Sequence, residues 1–169
     1  MALRIATPDF LALDACHQQT QARLMSLAML VETIAAHGVT ADVQSEAQAI
    51  EQFFSQTSRT HHLEEERDIF PELLASGDAK LVDTVRQLLQ DHYWIEENWL
   101  QLAPQLRAIG EGMGWPDAAQ FLRLAQIFLD LSSDHIALEE SLIYPESKAR
   151  LAQALAARAT RMQGLHEAS

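Results

Sequence analysis

Four apolar stripes at helical spacing run through this chain, and a histidine interrupts each of them. The first row is Phe10, Leu13, His17, Gln21, Leu24, Ala28, Val31, and the second is Ile50, Phe54, Thr57, His61, Glu65, Ile69. The third is Val85, Leu88, His92, Glu96, Trp99, Ala103, and the fourth is Phe121, Ala125, Phe128, Ser132, His135, Glu139, Leu142. Every row steps by three or four, the spacing of a helix face turned toward a core. Turn-forming residues gather at His37-Gly38-Val39-Thr40, at Ser76-Gly77-Asp78 and across Gly110 to Pro116, with a weaker break at Tyr144-Pro145. The segments between are rich in Leu, Ala, Gln and Glu, and no stretch alternates at the strand period. The pattern predicts an all-α fold with helices over 9–36, 41–75, 79–109 and 117–144, and a shorter helix over 146–163. Short connections make it an up-down-up-down four-helix bundle. A single domain is expected over 1–169, its core about 9–145 and a helical tail 146–169. Pro104 should kink or loosen the end of the third helix, because it removes a backbone donor.

Composition narrows the function classes. The 169 residues carry 12 Lys and Arg against 24 Asp and Glu, a formal charge of −12. So acidic a chain repels phosphate backbones, which excludes nucleic acid as a partner. A hydrophobic share of 48% is that of a globular domain, not a disordered one. The single cysteine, Cys16, fits a reducing compartment. Asp9 and Asp14 break the first apolar run after Arg4 before it reaches signal-peptide length, and no apolar run reaches the ~18 residues of a membrane span. A cytoplasmic protein with no membrane partner is expected.

The histidines come with carboxylates. A glutamate follows four positions later in three of the stripes, as His61/Glu65, His92/Glu96 and His135/Glu139. Four residues of α-helix turn ~400° and rise ~6 Å, so each pair projects from one face, a turn apart. The segments from His61 to Pro71 and from His135 to Pro145 align without a gap, sharing His, Glu-Glu, Ile, an aromatic residue and Pro. This repeat favours His61 with Glu65 over His62 with Glu66. A lone histidine on such a stripe would ordinarily be a hydrogen-bonded core residue. Two or three glutamates in one core are another matter, since each buried unpaired carboxylate costs several kcal/mol. No Lys or Arg stands on the four stripes to neutralise them. Four His and two to three Glu are the ligand supply of a dinuclear metal site with bridging carboxylates.

These residues resemble the hemerythrin-like, HHE cation-binding domain family, over roughly residues 9 to 145. The resemblance rests on His17, on His61 and Glu65 with the trailing Ile69-Phe70-Pro71, on His92 with Glu96, and on His135 with Glu139. It implies a four-helix bundle around two iron ions joined by an oxo or hydroxo group. His17 and His61 would serve one iron, His92 and His135 the other, and Glu65 and Glu139 would bridge them. Oxygen-carrying hemerythrins place a second histidine one turn after the third-helix His, where this chain has Glu96. A carboxylate there favours the ferric state, which weakens the oxygen-carrier role. Glu96 is expected to bind iron or to stand behind the ligands as a base, with Glu97 a poorer candidate by phase. The carriers' spacing would select Glu140 as the last carboxylate; the internal repeat selects Glu139.

The other reactive residues have plainer expectations. Cys16 lies ~100° around the helix from His17 and is expected to be a buried or half-buried free thiol. His37 suits a helix end and His166 lies in the tail, so neither should bind metal; His62 is the one alternative ligand. Trp94, Trp99 and Trp115 are expected to pack rather than relay electrons. A ferritin-like oxidase is excluded, because Ser58, Leu89 and Ser132 stand where its Glu-x-x-His pairs require glutamate. Three functions remain: a di-iron protein binding O2, NO or a related small ligand for sensing, scavenging or delivery; a di-iron enzyme acting on peroxide or NO, or donating iron; and a zinc-bound or metal-free structural bundle. The first is the expectation.

Overall fold

The structure, a computed structural model, describes residues 8–113 and 117–167, with side chains as far as Gln163. Arg4, Gly114, Trp115, Pro116 and the side chain of His166 lie outside the described residues. The described residues form six α-helices: α1 (Phe10–His37), α2 (Ala41–Asp68), α3 (Phe70–Leu74), α4 (Ala79–Gly110), α5 (Ala118–Leu138) and α6 (Tyr144–Glu167). A π-helical turn, Glu139–Ile143, separates α5 from α6, and no strand occurs among the described residues. The fold is all-α, as the stripes require. Two compact units divide it, Met1–Ile136 and Ala137–Ser169.

Each bundle helix starts at a side-chain cap. Asp9 accepts from the Ala12 amide, Thr40 from Val43, Asp78 from Lys80 and Leu81, and Asp117 from Gln120. Each oxygen satisfies a backbone donor that the helix itself leaves orphaned, worth about 1 kcal/mol per cap. Gly38 closes α1 at φ 74° and Gly77 turns the chain ahead of α4 at φ 77°, a backbone region that other residues rarely adopt.

The first unit holds the four long helices with consecutive members antiparallel. His17 faces His61 and Arg23 lies over Phe53, so α2 retreats as α1 advances. Glu66 meets His92 and Glu51 meets Arg107, fifteen residues back on α2 for fifteen forward on α4. His92 meets His135 and Trp99 meets Phe128, seven forward on α4 for seven back on α5. This is the up-down-up-down bundle. Its apolar core is one cluster that includes Leu27, Ile50, Phe54, Leu102, Leu106, Phe121 and Phe128. Trp99 packs on Phe54 and Phe128 at 5.2 and 5.1 Å and gives its indole N–H to Ser55, whereas Trp94 is exposed.

Several boundaries and phases differ from expectation, each for a local reason. The segment 41–75 is two helices, because Pro71 lacks the N–H that continuous helix needs; α2 stops at Asp68 and Ile69 links it to α3. The matching Pro145 is met by the π turn, in which the Tyr144 N–H reaches back five residues to the Glu139 carbonyl. That wider turn delays the next inward position, so Ile143 is buried and Leu142 is exposed. The tail helix is not short: α6 runs 24 residues, through Gly164. In the second unit Tyr144 and Ser147 are buried, and the later part of α6 is exposed. In α1 the inward rows are Leu13, Leu27 and Ile34 at multiples of seven, with Leu24 and Leu30, so Gln21 is exposed. Helix α4 passes through Pro104 without a break, with that residue on the exposed side.

The α2–α4 seam closes tightly at Gly110, whose carbonyl accepts from the Gln48 amide at 2.8 Å. A Cβ built there would lie 2.5 Å from Gln48 Cγ and 3.4 Å from the Gln44 carbonyl oxygen. Alanine gains ~1 kcal/mol of helix propensity. Overpacking costs ~1–3 kcal/mol, and here it also displaces the hydrogen-bonded Gln48. Gly110→Ala should therefore lower stability, by about 1 kcal/mol net, as measured by urea unfolding; a stabilised variant would show that the seam is looser than described.

Candidate metal centre

Six polar side chains are turned into the bundle where it should be apolar. Helix α1 contributes His17, α2 contributes His61, His62 and Glu65, α4 contributes His92, and α5 contributes His135. His17 and Glu65 are fully buried, and the other four are at most 7% exposed. The antiparallel pairings of the fold bring them to one level.

Glu65 is the centre of this group. Its Oε1 lies 3.4 Å from His61 Nε2 and 3.9 Å from His17 Nε2. Its Oε2 lies 3.5 Å from His92 Nε2, which in turn is 3.1 Å from His135 Nε2. One carboxylate thus divides its two oxygens between two pairs of imidazoles. Ligand atoms of His17, His61 and Glu65 lie within 4.8 Å of one another, and so do those of Glu65, His92 and His135.

The donor chemistry fits metal ions. Nitrogen and oxygen donors bind at ~2.0–2.2 Å, so two neighbouring donors on one ion stand ~3 Å apart. The 3.1 Å between His92 Nε2 and His135 Nε2 has that value. His92 Nδ1 donates to Glu66 Oε1 at 2.8 Å, which leaves its Nε2 lone pair directed at His135. A proton or a cation must therefore lie between the two rings. A cation serves Glu65 as well, since it balances the buried charge.

Carboxylates stand behind the histidines. Besides Glu66 on His92, Glu96 Oε1 lies 3.6 Å from His62 Nδ1, and Asp91 Oδ2 lies 3.9 Å from His135 Nδ1. Such partners fix the tautomer of a metal-binding imidazole and raise its basicity. His62 stacks on His92 with ring centroids 4.0 Å apart and planes 12° apart, and Phe70 stacks near His92 at 5.5 Å.

Of the residues singled out in the sequence, His17, His61, Glu65, His92 and His135 converge within the first unit. Glu96 does not join them. Ile95 takes the inward position of α4, and Glu96 is half-exposed beside His62. Glu139 belongs to the second unit, where it opens the π turn fully buried; its neighbour Glu140 is exposed. Reasoning from one inward residue per turn underrated His62 and Glu66. Two adjacent histidines beside a run of three glutamates carried that signal. Cys16 is half-buried and burial pushes its thiol pKa up, partly offset by the Thr20 hydroxyl; His37 is exposed at the end of α1.

A four-helix bundle with buried histidines around one carboxylate has the donor set to hold a cation. The chain belongs to the hemerythrin HHE cation-binding domain family, which matches residues 11–147. It is similar to an uncharacterised protein of Haemophilus influenzae, 30% identical over 131 residues that cover 77% of this chain and 73% of that one. No described helix is long and apolar enough to cross a membrane.

The Glu66 contact carries a prediction. Glu66→Gln removes the charge that holds the His92 tautomer, while Glu64 lies on the same helix outside the cluster. Metal affinity measured by chelator competition should fall about 10- to 100-fold in Glu66→Gln and stay at the parental value in Glu64→Gln. Equal affinities in all three proteins would mean that Glu66 does not support the site.

Proposed function

We propose that this protein holds two iron ions and binds O2, NO or a related small ligand, for sensing, scavenging or delivery. One observation carries the reading: Glu65 turns one oxygen toward His17 and His61 and the other toward His92. That is the disposition of a carboxylate bridging two ions. His17 and His61 would hold the first ion, and His92 and His135 the second. Glu139 would be the other bridging carboxylate, a role supported by the internal repeat and by its burial beside an exposed Glu140. An iron pair would supply redox chemistry and a coordination position for a small ligand.

His62 is left out of this set on the internal repeat, although one of its ring nitrogens lies within 4.8 Å of ligand atoms of His92 and His135, which keeps it the alternative ligand. Glu96 would then act on His62 rather than on metal, a reading supported by its 3.6 Å approach to His62 Nδ1. The chain still lacks the extra histidine of the oxygen carriers, so sensing or scavenging is favoured over oxygen storage.

The test is the iron content and visible spectrum of the purified protein, before and after reduction and renewed exposure to air. About two ions per chain are expected. His61→Ala and His135→Ala should each lose at least one ion and melt at a lower temperature, since the buried carboxylate loses its counter-charge. Glu96→Ala should keep the parental iron content. Well under one ion per chain from iron-replete cells, with both histidine variants as stable as the parent, would remove the di-iron reading.

A further inference from the structure

A small cavity of about 20 Å3 is lined by His17, His61, His62 and His135, three of which would hold the ions. Phe54, Phe128, Ile95 and Ile136 give it apolar walls, and the hydroxyls of Thr20, Ser58 and Ser132 also line it. The three hydroxyls are not equivalent. Thr20 is engaged with the Cys16 thiol. Ser58 stands between the cavity and a surface groove of about 410 Å3, and it lines both. Ser132 is 4% exposed, and its Oγ is enclosed with no hydrogen bond to any protein atom.

That hydroxyl is costly where it stands. A buried hydroxyl without a partner loses about 1–3 kcal/mol relative to water. In a helix it can ordinarily bond the carbonyl four residues back, here that of Phe128, and it does not. An apolar residue of the same size would serve the core better, unless the cavity's occupant takes the bond.

We infer that Ser132 is the hydrogen-bond donor that holds the small ligand of this centre. The inference rests on the iron reading above, and it adds the residue that sets specificity. Ser132 would donate its O–H to a ligand held in this space, and the apolar part of the wall would disfavour charged competitors. The ligand enters from the groove between α2 and α4, because Phe54 and Ser58 line both spaces and form the partition. Ser132 lies one turn before His135 on α5, which sets the donor and the metal-binding imidazole on one helix face.

The test uses iron-loaded full-length protein with NO gas as the probe. Ser132→Ala should keep the parental iron content and raise the NO dissociation rate about tenfold, the loss of one hydrogen bond. Ser132→Val narrows the cavity and should also slow association. In metal-free protein, Ser132→Ala should melt no lower than the parent, because the fold does not use the hydroxyl. A lower melting temperature there would assign Ser132 a structural role and overturn the inference. So would an unchanged NO dissociation rate in an iron-replete Ser132→Ala variant. A parent without iron is a different result: it fails the di-iron reading itself and is recognised by metal analysis alone.

Discussion

Burial of the Glu65 carboxylate is the constraint on which the centre of this bundle depends. A fully buried carboxylate in an apolar core loses hydration worth several kcal/mol, and it is tolerated only with compensating charge or hydrogen bonds. Here the compensation is offered by imidazoles on three other turns: His61 from the same helix, His17 from α1 and His92 from α4. Imidazole is suited to the task in a way that lysine is not. It is flat enough to pack in a core, it can be neutral at little cost, and it presents a lone pair to a cation. The helices converge at this level because their polar side chains meet there, while the Phe54–Trp99–Phe128 cluster secures the packing on one side of it.

The supporting residues follow from the same constraint. An imidazole can aim one nitrogen inward only if the other is occupied, and Glu66 occupies that of His92 at 2.8 Å. Glu66 is only partly buried, so its own desolvation cost is modest, and its charge is passed inward through the ring. Glu96 has the same relation to His62 at a longer distance. The acidic run from Glu64 to Glu66 thus divides its work by helical phase: Glu65 faces the core, and Glu66 supports a ring on the neighbouring helix. A chain of net charge −12 has carboxylates to spare for such placements.

The fold was legible in the sequence because its signals are redundant. Four stripes and three turn clusters mark the same helices, so an error in one is corrected by the others. The candidate site was legible wherever a residue and its repeat partner agreed, as with His61 and His135. It was less legible where a single phase decided the matter. Glu96 follows His92 by four residues, like Glu65 after His61, but α4 turns Ile95 inward instead and leaves Glu96 at the rim. Adjacent His61 and His62 are both buried, which a rule of one inward residue per turn does not anticipate. The prolines show the same limit, since Pro71 divides a helix and Pro145 is accommodated by a π turn. Two equivalent motifs thus meet one backbone defect in two ways, decided by neighbours that a local pattern does not contain.

Ser132 shows how such a bundle could acquire chemistry without altering its scaffold. It occupies an inward position of the α5 stripe, where alanine or leucine would ordinarily be expected, and its hydroxyl has no protein partner. A stability-driven sequence would have no reason to keep it, whereas a ligand that accepts one hydrogen bond provides one. The same logic applies to the void it lines. That space is lined by four histidines and shares Phe54 and Ser58 with a surface groove, so a ligand reaching the imidazoles passes the hydroxyl. A polar donor, a small apolar void and a nearby metal-binding set are each unfavourable or neutral for folding. Together they would offer a small ligand one directional contact beside the metal-binding set.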